Sequence, residues 1–155
     1  MWSWLPANGH SGGILLGVRH STLEVGALDQ GEFFLSASIF HRASRAIFQY
    51  IGVYGPADHT RSAIFLEELE RKITSCQYPV LISSDFNLIR GPRDKNNNNI
   101  NWPKVRLFND FIARLSLREI ERTGAILLGQ TNSSTQPEVF STGSWCLQIG
   151  IHFFP

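Results

Sequence analysis

An apolar, β-branched run that ends in polar side chains lies in the middle of the chain. Residues 79–84 read Pro-Val-Leu-Ile-Ser-Ser and lead into Asp85, Phe86 and Asn87. Such a run predicts a buried strand with an acid and an amide at its end. The loops beyond the carboxyl ends of strands hold ligands in α/β sheets, and alternation places Asp85 and Asn87 on one side if the chain stays extended. The alternative is a simple turn, because Asp and Asn hydrogen-bond to their own backbone.

The residues before this run predict further strands and a helix. Apolar residues at intervals of three and four over residues 60–75 predict an amphipathic helix that covers a sheet. We expect the preceding strands to form an antiparallel meander with polar turns at 29–31 and 42–45. Alternating, aromatic or β-branched runs predict these strands at 14–18, 22–25, 33–40 and 47–54.

A second helix is predicted after the central strand. Asn101 before Trp102 and Pro103 is typical of an N-cap with proline in the first helical turn. Residues 96–99 are four asparagines, which predict an exposed loop. Strands packed under helices indicate the α/β class, here part of a four-layer α/β sandwich with a mainly antiparallel sheet. The apolar stripe of the second helix is formed by Val105, Leu107, Phe108, Phe111, Ile112 and Leu115.

Size and composition limit the classes of protein to which the chain can belong. A chain of 155 residues, 43% of them hydrophobic, suggests a single core. The formal net charge of +1 gives no global electrostatic signature of nucleic-acid binding. Cys76 and Cys146 lie far apart without metal-ligand spacing, so a disulfide framework or zinc site is not indicated and a reducing, intracellular compartment is the default. We expect neither a signal peptide nor a membrane-spanning segment.

A local group of basic residues follows the central strand. Its members are Arg90, Arg93, Lys95, Lys104 and Arg106. They are candidates for contacts with a phosphate backbone. The alternative is a solvated loop and helix face, which is what a run of charges usually forms.

Several short segments occur together in one order. They are Gly-Val-Tyr-Gly-Pro at 52–56, the amphipathic segment, Ser-Asp-Phe-Asn-Leu-Ile-Arg at 84–90, and Asn-Asp-Phe-Ile at 109–112. With these segments, residues 11–124 resemble the endonuclease/exonuclease/phosphatase superfamily. The resemblance is strongest to the endonuclease-like domain of plant non-LTR retrotransposons and of host genes descended from them. The family's Gly-Asp-Phe-Asn is changed here only to Ser-Asp-Phe-Asn.

The resemblance implies a divalent-metal-dependent phosphodiester hydrolase that acts on DNA, with Mg²⁺ as cofactor and a nuclear location. Asp85 matches the acid that orients or deprotonates the attacking water, and Asn87 matches the amide that contacts the scissile phosphate. Tyr54 matches a tyrosine whose hydroxyl lies near the phosphate, although it can equally be a plug at a strand end. Relatives often carry an asparagine where this chain has Ala57. The metal ligands stay unassigned.

The resemblance also divides the chain into three parts. We expect an irregular segment at 1–10, a partial domain at 11–124 and a divergent tail at 125–155. Relatives carry a metal-binding glutamate upstream and a catalytic histidine downstream of the matched region, and neither has a counterpart here, so we expect negligible turnover. Codons for the relatives' Thr-Trp-Thr-Asn, when read one base out of register, can encode Leu-Gly-Gln-Thr. This chain has Leu-Gly-Gln-Thr at 128–131. This predicts a frameshift near Ala125 and a tail without selected structure.

Three functions stay open on the sequence. The chain is a metal-dependent nuclease or phosphodiesterase, a catalytically inactive remnant of one, or a module that binds nucleic acid or protein through residues 90–106. A phosphoinositide or sphingolipid phosphoester is the second candidate substrate, because the superfamily includes such hydrolases. An affinity for DNA that falls with added salt would identify the binding role.

Overall fold

The structure is a computed structural model. It describes residues 1–7, 13–94 and 99–119 in full, and residues 146–152 as backbone. The fold is mixed α/β with two sheets and two α-helices in these residues, which confirms the predicted class. The strands are β1 (Trp2–Leu5), β2 (Ile14–Gly17), β3 (Leu23–Gln30), β4 (Phe34–His41), β5 (Ala46–Tyr54), β6 (Val80–Asp85), β7 (Arg118–Glu119) and β8 (Cys146–His152).

The two helices lie where the apolar periodicity predicts them. Helix α1 spans Ser62–Thr74 and follows a single 3-10 turn at His59–Arg61. Helix α2 spans Trp102–Arg114, and the side chain of its N-cap residue Asn101 accepts the backbone N–H of Lys104 at 3.2 Å. The predicted N-cap is therefore confirmed. Within the described residues, neither helix is long and apolar enough to cross a membrane.

The larger sheet contains six strands in the order β3-β4-β5-β6-β8-β7. Strands β3, β4 and β5 form an antiparallel meander as predicted, but the strand predicted at 14–18 does not belong to it, because β2 pairs with β1 in the other sheet. Strand β6 runs parallel to β5, because α1 returns the chain to the starting end of the sheet before β6 begins. This parallel pair is what brings the ends of β5 and β6 to the same edge.

The main core lies between this sheet and the two helices. Its centre is a group of aromatic rings, in which Phe86 lies 4.8 Å from Phe108 and 6.0 Å from Phe65 between ring centroids. All three rings are fully buried. Ile51 and Ile82 contribute the sheet side of the same core. Burial of the α1 and α2 stripes against these strands is the main favourable term that holds the helices in place.

The second sheet, β1 with β2, lies against the other face of the six-stranded sheet. A side chain added at Gly52 of β5 would meet Ile14 of β2 at 3.1 Å, so the two sheets approach closely there. Trp2–Leu5 were expected to be irregular, and that expectation is wrong for them. Tryptophan is favoured in strands, and β2 supplies the backbone partners, although both Trp side chains lie on the exposed face.

The expected absence of structure in the tail is wrong for Cys146–His152. These residues form β8, which pairs antiparallel with β6 and lies between β6 and β7. The physical reason is that β6 would otherwise present a row of unpaired backbone groups, and a β-branched, apolar segment is well suited to pair with such an edge. Residues 120–145 and 153–155, which hold the rest of the predicted tail, lie outside the described residues.

Candidate functional site

Two predicted site residues, Tyr54 and Asp85, lie side by side at one edge of the sheet. They end β5 and β6, and they are register partners in this parallel pair. Ile51 and Val53 of β5 point toward the helices as part of the core, so alternation turns Tyr54 and its partner Asp85 to the opposite face. The structure thus brings together two residues that are 31 positions apart in the sequence.

The Asp85 carboxylate has one oxygen with a hydrogen bond and one without. Oδ1 accepts the backbone N–H of Asn87 at 3.1 Å. Oδ2 is buried and accepts no hydrogen bond from any residue that the structure describes. A buried polar atom without a partner costs about 1–3 kcal/mol, and more when it is charged, so native proteins rarely keep one. Oδ2 is therefore the atom at this edge best suited to a cation or to a donor on a bound molecule.

Asn87 does not continue the strand. Its φ of 50° lies in the left-handed region, which an asparagine tolerates better than most residues. The condition for Asn87 to share a side with Asp85 by alternation therefore fails, and the local geometry is the turn that the sequence also allowed. The Asn87 side chain instead turns back and donates from Nδ2 to the carbonyl oxygen of Gly55 at 2.7 Å. One of its two amide hydrogens remains for another acceptor.

Gly55 joins the two strand ends. Its N–H donates to the carbonyl oxygen of Asp85 at 2.6 Å, and a Cβ at this position would lie 2.1 Å from the carbonyl oxygen of Phe86. Only glycine allows this approach of one backbone to the other. Together with the Asn87 bond, this contact fixes the loop after β5 against the loop after β6. The position of Gly55 directly after Tyr54 pointed to a turn at the strand end. The sequence could not predict that Gly55 contacts the backbone of Asp85 and Phe86.

Tyr54 is half-buried, and its backbone N–H donates to the carbonyl oxygen of Phe33 at 3.0 Å. The phenol hydroxyl makes no hydrogen bond with the described part of the chain. The hydroxyl of Tyr54 is thus available as a donor in the residue that pairs with Asp85.

Asp58, in the loop after β5, is held in a different way. Its Oδ1 accepts both the backbone N–H of Thr60 at 2.9 Å and the Thr60 hydroxyl at 2.8 Å, which caps the 3-10 turn. These hydrogen bonds lower the pKa of the Asp58 carboxyl, with smaller contributions from the positive charges of Arg61 and Lys104. The Asp58 carboxylate is therefore exposed and hydrogen-bonded to Thr60, whereas Oδ2 of Asp85 is buried and has no hydrogen bond among the described residues.

The predicted basic residues do not form one face. Arg90 is fixed to α2, because its Nε donates to Asn109 Oδ1 at 3.1 Å and its carbonyl accepts Asn109 Nδ2 at 2.8 Å. Lys104 and Arg106 are two positions apart on α2, so they lie on opposite flanks of the helix. Arg93 is exposed in a 3-10 turn at Pro92–Asp94. Lys95 lies outside the described residues.

The fit of this edge to a divalent cation rests on Asp85 alone. No group of three or more His, Cys, Asp or Glu side chains that could hold a metal is found within the described residues. Mg²⁺ is commonly bound through one or two carboxylates, waters and substrate phosphates rather than by a full protein cage. The buried Oδ2 of Asp85 fits one such carboxylate ligand.

The comparisons with known proteins gave structural neighbours but no sequence relative. No family model matches the chain, and no curated protein matches it. The first structural neighbour is the human Nocturnin catalytic domain with bound sulfate anion, at 11% identity and a TM-score of 0.49, covering 77% of this chain and 50% of that one.

Two further neighbours come from Bacteroides thetaiotaomicron. The mannosyl-6-phosphatase Bt3783 has 11% identity and a TM-score of 0.46, covering 97% of this chain and 62% of its own. An endonuclease/exonuclease/phosphatase family protein has 10% identity and a TM-score of 0.41, covering 76% of this chain and 48% of its own. The chain thus spans about half to three fifths of the length of these three structures.

Proposed function

We propose that the chain is an endonuclease/exonuclease/phosphatase-type domain that binds a DNA phosphodiester, together with Mg²⁺, at the edge formed by Tyr54, Asp85 and Asn87. The observation that carries the proposal is the buried Oδ2 of Asp85, which has no hydrogen-bond partner among the described residues, in a residue whose register partner is Tyr54; the Tyr54 hydroxyl makes no hydrogen bond among the described residues. The sequence resemblance supports the choice of phosphodiester, and with it a retroelement origin and a nuclear location.

Each residue has a role that its contacts support. Asp85 would be the carboxylate ligand of the cation, and the cation would supply a Lewis acid for the phosphate oxygens and a more acidic water. The Tyr54 hydroxyl would donate to a phosphate oxygen. The free amide hydrogen of Asn87 would donate to a second oxygen, while its other hydrogen keeps the bond to Gly55. Asp85 would also orient the water that attacks the phosphate.

We further propose that turnover by this chain is negligible. Hydrolysis needs a metal whose position is fixed and donors for the charge that develops on the phosphate. Within the described residues, Asp85 belongs to no larger cluster of metal-ligating side chains. Binding is therefore the property to measure first, with nicking as the second readout.

The test compares binding of a labelled DNA duplex with and without Mg²⁺ at equal ionic strength, by fluorescence anisotropy. The wild type should bind more tightly with Mg²⁺. Asp85→Asn should bind more tightly than the wild type without Mg²⁺ and gain nothing from Mg²⁺. The reason is charge: two like charges about 5 Å apart repel by roughly 3 kcal/mol at an effective dielectric constant near 20.

Asp58→Asn is the matched control, because Asp58 lies in the neighbouring loop but its carboxylate is exposed and engaged by Thr60. It should keep the Mg²⁺ response of the wild type. Equal Mg²⁺ responses in all three proteins would refute the Asp85 site. Supercoiled plasmid, incubated with Mg²⁺, should be nicked no faster by the wild type than by Asp85→Asn, and faster nicking would refute negligible turnover.

A further inference from the structure

Helix α2 extends past the edge that carries Asp85. Phe86, just beyond that edge, packs against Phe108 in the middle of the helix. Arg118, after the helix, pairs with Gly150 of β8, and Gly150 also pairs with Leu81 near the start of β6. The helix therefore runs antiparallel to β6. Its first residue, six positions before Phe108, lies roughly 9 Å further along the helix axis, beyond the end of the sheet where β6 ends, although the Tyr54 and Asp85 side chains face away from the helices.

That first residue is Trp102, and its side chain is 59% exposed. It falls outside the buried stripe of α2, whose members are Val105, Phe108, Phe111 and Ile112. A large indole at this position contributes little to the core, although Trp usually buries most of its area. The exposed part of the Trp102 side chain is therefore accessible to a bound molecule.

The residues next to Trp102 on the same flank of the helix are basic or hold a basic residue. Trp102, Arg106 and Asn109 are spaced by four and three positions, which places them in one row. Arg106 is exposed and forms no ion pair within the described chain. Asn109 Oδ1 accepts a hydrogen bond from Nε of Arg90, so a second guanidinium lies beside the row, and its Nη1 also lies 3.6 Å from Oε2 of Glu119.

We propose that this row binds a single-stranded segment of nucleic acid, with an unpaired base stacked on Trp102 and the backbone phosphates at Arg106 and Arg90. An exposed ring beside guanidinium groups is the combination that binds single strands without sequence preference. A duplex offers its phosphates to such a row but keeps its base faces covered. The inference rests on the proposed function, because that function supplies the class of ligand, a nucleic acid.

The test measures binding of a labelled oligodeoxythymidylate of about twelve nucleotides by the full chain, in EDTA and by anisotropy. Trp102→Ala should weaken binding by roughly five- to 150-fold, the equivalent of stacking one base. Trp102→Phe should keep most of the affinity. Binding should quench tryptophan fluorescence in the wild type, and this quenching should be smaller in Trp102→Phe. Arg106→Gln should lower the slope of log affinity against log salt by about 0.7.

Trp4→Ala is the matched control. Trp4 is 66% exposed, but it lies in β1, on the other side of the six-stranded sheet from α2. It should bind the oligonucleotide as the wild type does. Trp102→Ala should also keep the wild-type unfolding midpoint, since the ring is exposed and Ala favours a helix. A duplex of the same length should bind Trp102→Ala and the wild type equally.

The outcomes separate this inference from the proposed function. Unchanged single-strand binding by Trp102→Ala, or equal weakening on single strand and duplex, would overturn base stacking and leave the Asp85 site untouched. Selective loss on the single strand supports the inference. It would do so even if the Mg²⁺ response failed to depend on Asp85, in which case the phosphodiester site would be refuted and a single-strand binding surface would remain.

Discussion

Asn87 shows how one residue can set the geometry of a site. It occupies a left-handed conformation, its N–H binds the Asp85 carboxylate, and its side chain binds Gly55. The sequence indicated that Asp85 and Asn87 belong together at a strand end. It could not indicate that Asn87 reverses the chain, because Asn is compatible with both extended and left-handed backbone.

Substitutions at Asn87 should separate the backbone effect from the side-chain effect. Asn87→Ala loses the bond to Gly55 and places Ala in a conformation that it disfavours, so the free energy of unfolding should fall by about 2 kcal/mol. Asn87→Gly loses only the bond, so the fall should be about 1 kcal/mol. Urea unfolding followed by circular dichroism measures both. A larger loss for Gly than for Ala would contradict the role given to the left-handed backbone.

At the scale of elements, α1 and α2 are linked by an ion pair as well as by their apolar stripes. Glu70 Oε2 of α1 lies 2.6 Å from Arg114 Nη2 of α2, and Oε1 accepts from Nε at 3.3 Å. The hydrogen bond to Arg114 lowers the pKa of Glu70 below its ordinary value of 4.5, against a smaller opposing effect of burial. Both side chains are partly exposed, so the effect on stability is modest.

This ion pair predicts a pH dependence of stability. A carboxyl with a lowered pKa in the folded state stabilises the fold at pH values above its unfolded pKa, and the contribution is lost as the pH falls through the folded value. Glu70→Gln should therefore be less stable than the wild type at pH 7, and the difference should disappear at a pH below the lowered pKa of Glu70. Denaturant unfolding at both pH values measures it, with the exposed Glu67→Gln as control. A difference that persists at the lower pH would contradict the ionic origin.

The elements themselves were largely readable from the sequence. The stripe of α2 and its Asn101 cap depend on neighbours within one or two turns, and such local patterns predict helices well. The parallel pairing of β5 with β6 was not predicted, although the helix between the two strands allows it. Strands β1 and β8 were not predicted, because each is a short segment whose pairing depends on a partner distant in sequence. The exposure of Trp102 had one readable signal, its position outside the apolar stripe.

At the scale of the whole molecule, the outer face of the β1–β2 sheet is apolar. Trp4 and Leu15 are register partners and are 66% and 68% exposed, and Trp2 on the same face is 69% exposed. Contiguous exposed apolar side chains favour self-association. Replacing Trp4 and Leu15 together by Thr keeps the β propensity and removes the apolar surface.

The Trp4→Thr, Leu15→Thr double variant should therefore self-associate less than the wild type. Its free energy of unfolding should change by no more than about 1 kcal/mol, since both side chains are exposed and only a cross-strand contact is lost. Light scattering over a range of concentrations measures the first effect, and urea unfolding measures the second. Undiminished self-association, with an unchanged fold, would show that this face is not responsible.

Phe86 connects the site to the stability of the whole molecule. Asp85 ends the strand, and the next side chain fills the centre of the core, where its ring contacts Phe65 of α1 and Phe108 of α2.

Phe86→Ala should cost about 3–5 kcal/mol, a large part of the 5–15 kcal/mol that holds a typical domain together, so this variant should be largely unfolded or near its unfolding threshold. Phe86→Leu keeps most of the volume and should remain folded with a smaller loss. Chemical unfolding ranks the two, and Mg²⁺-dependent DNA binding by Phe86→Leu reports on the site. We expect Phe86→Leu to weaken the Mg²⁺ response, because Asp85 and Asn87 flank Phe86 and shift with its backbone. A full Mg²⁺ response in a measurably destabilised Phe86→Leu would show that the site tolerates repacking beneath it.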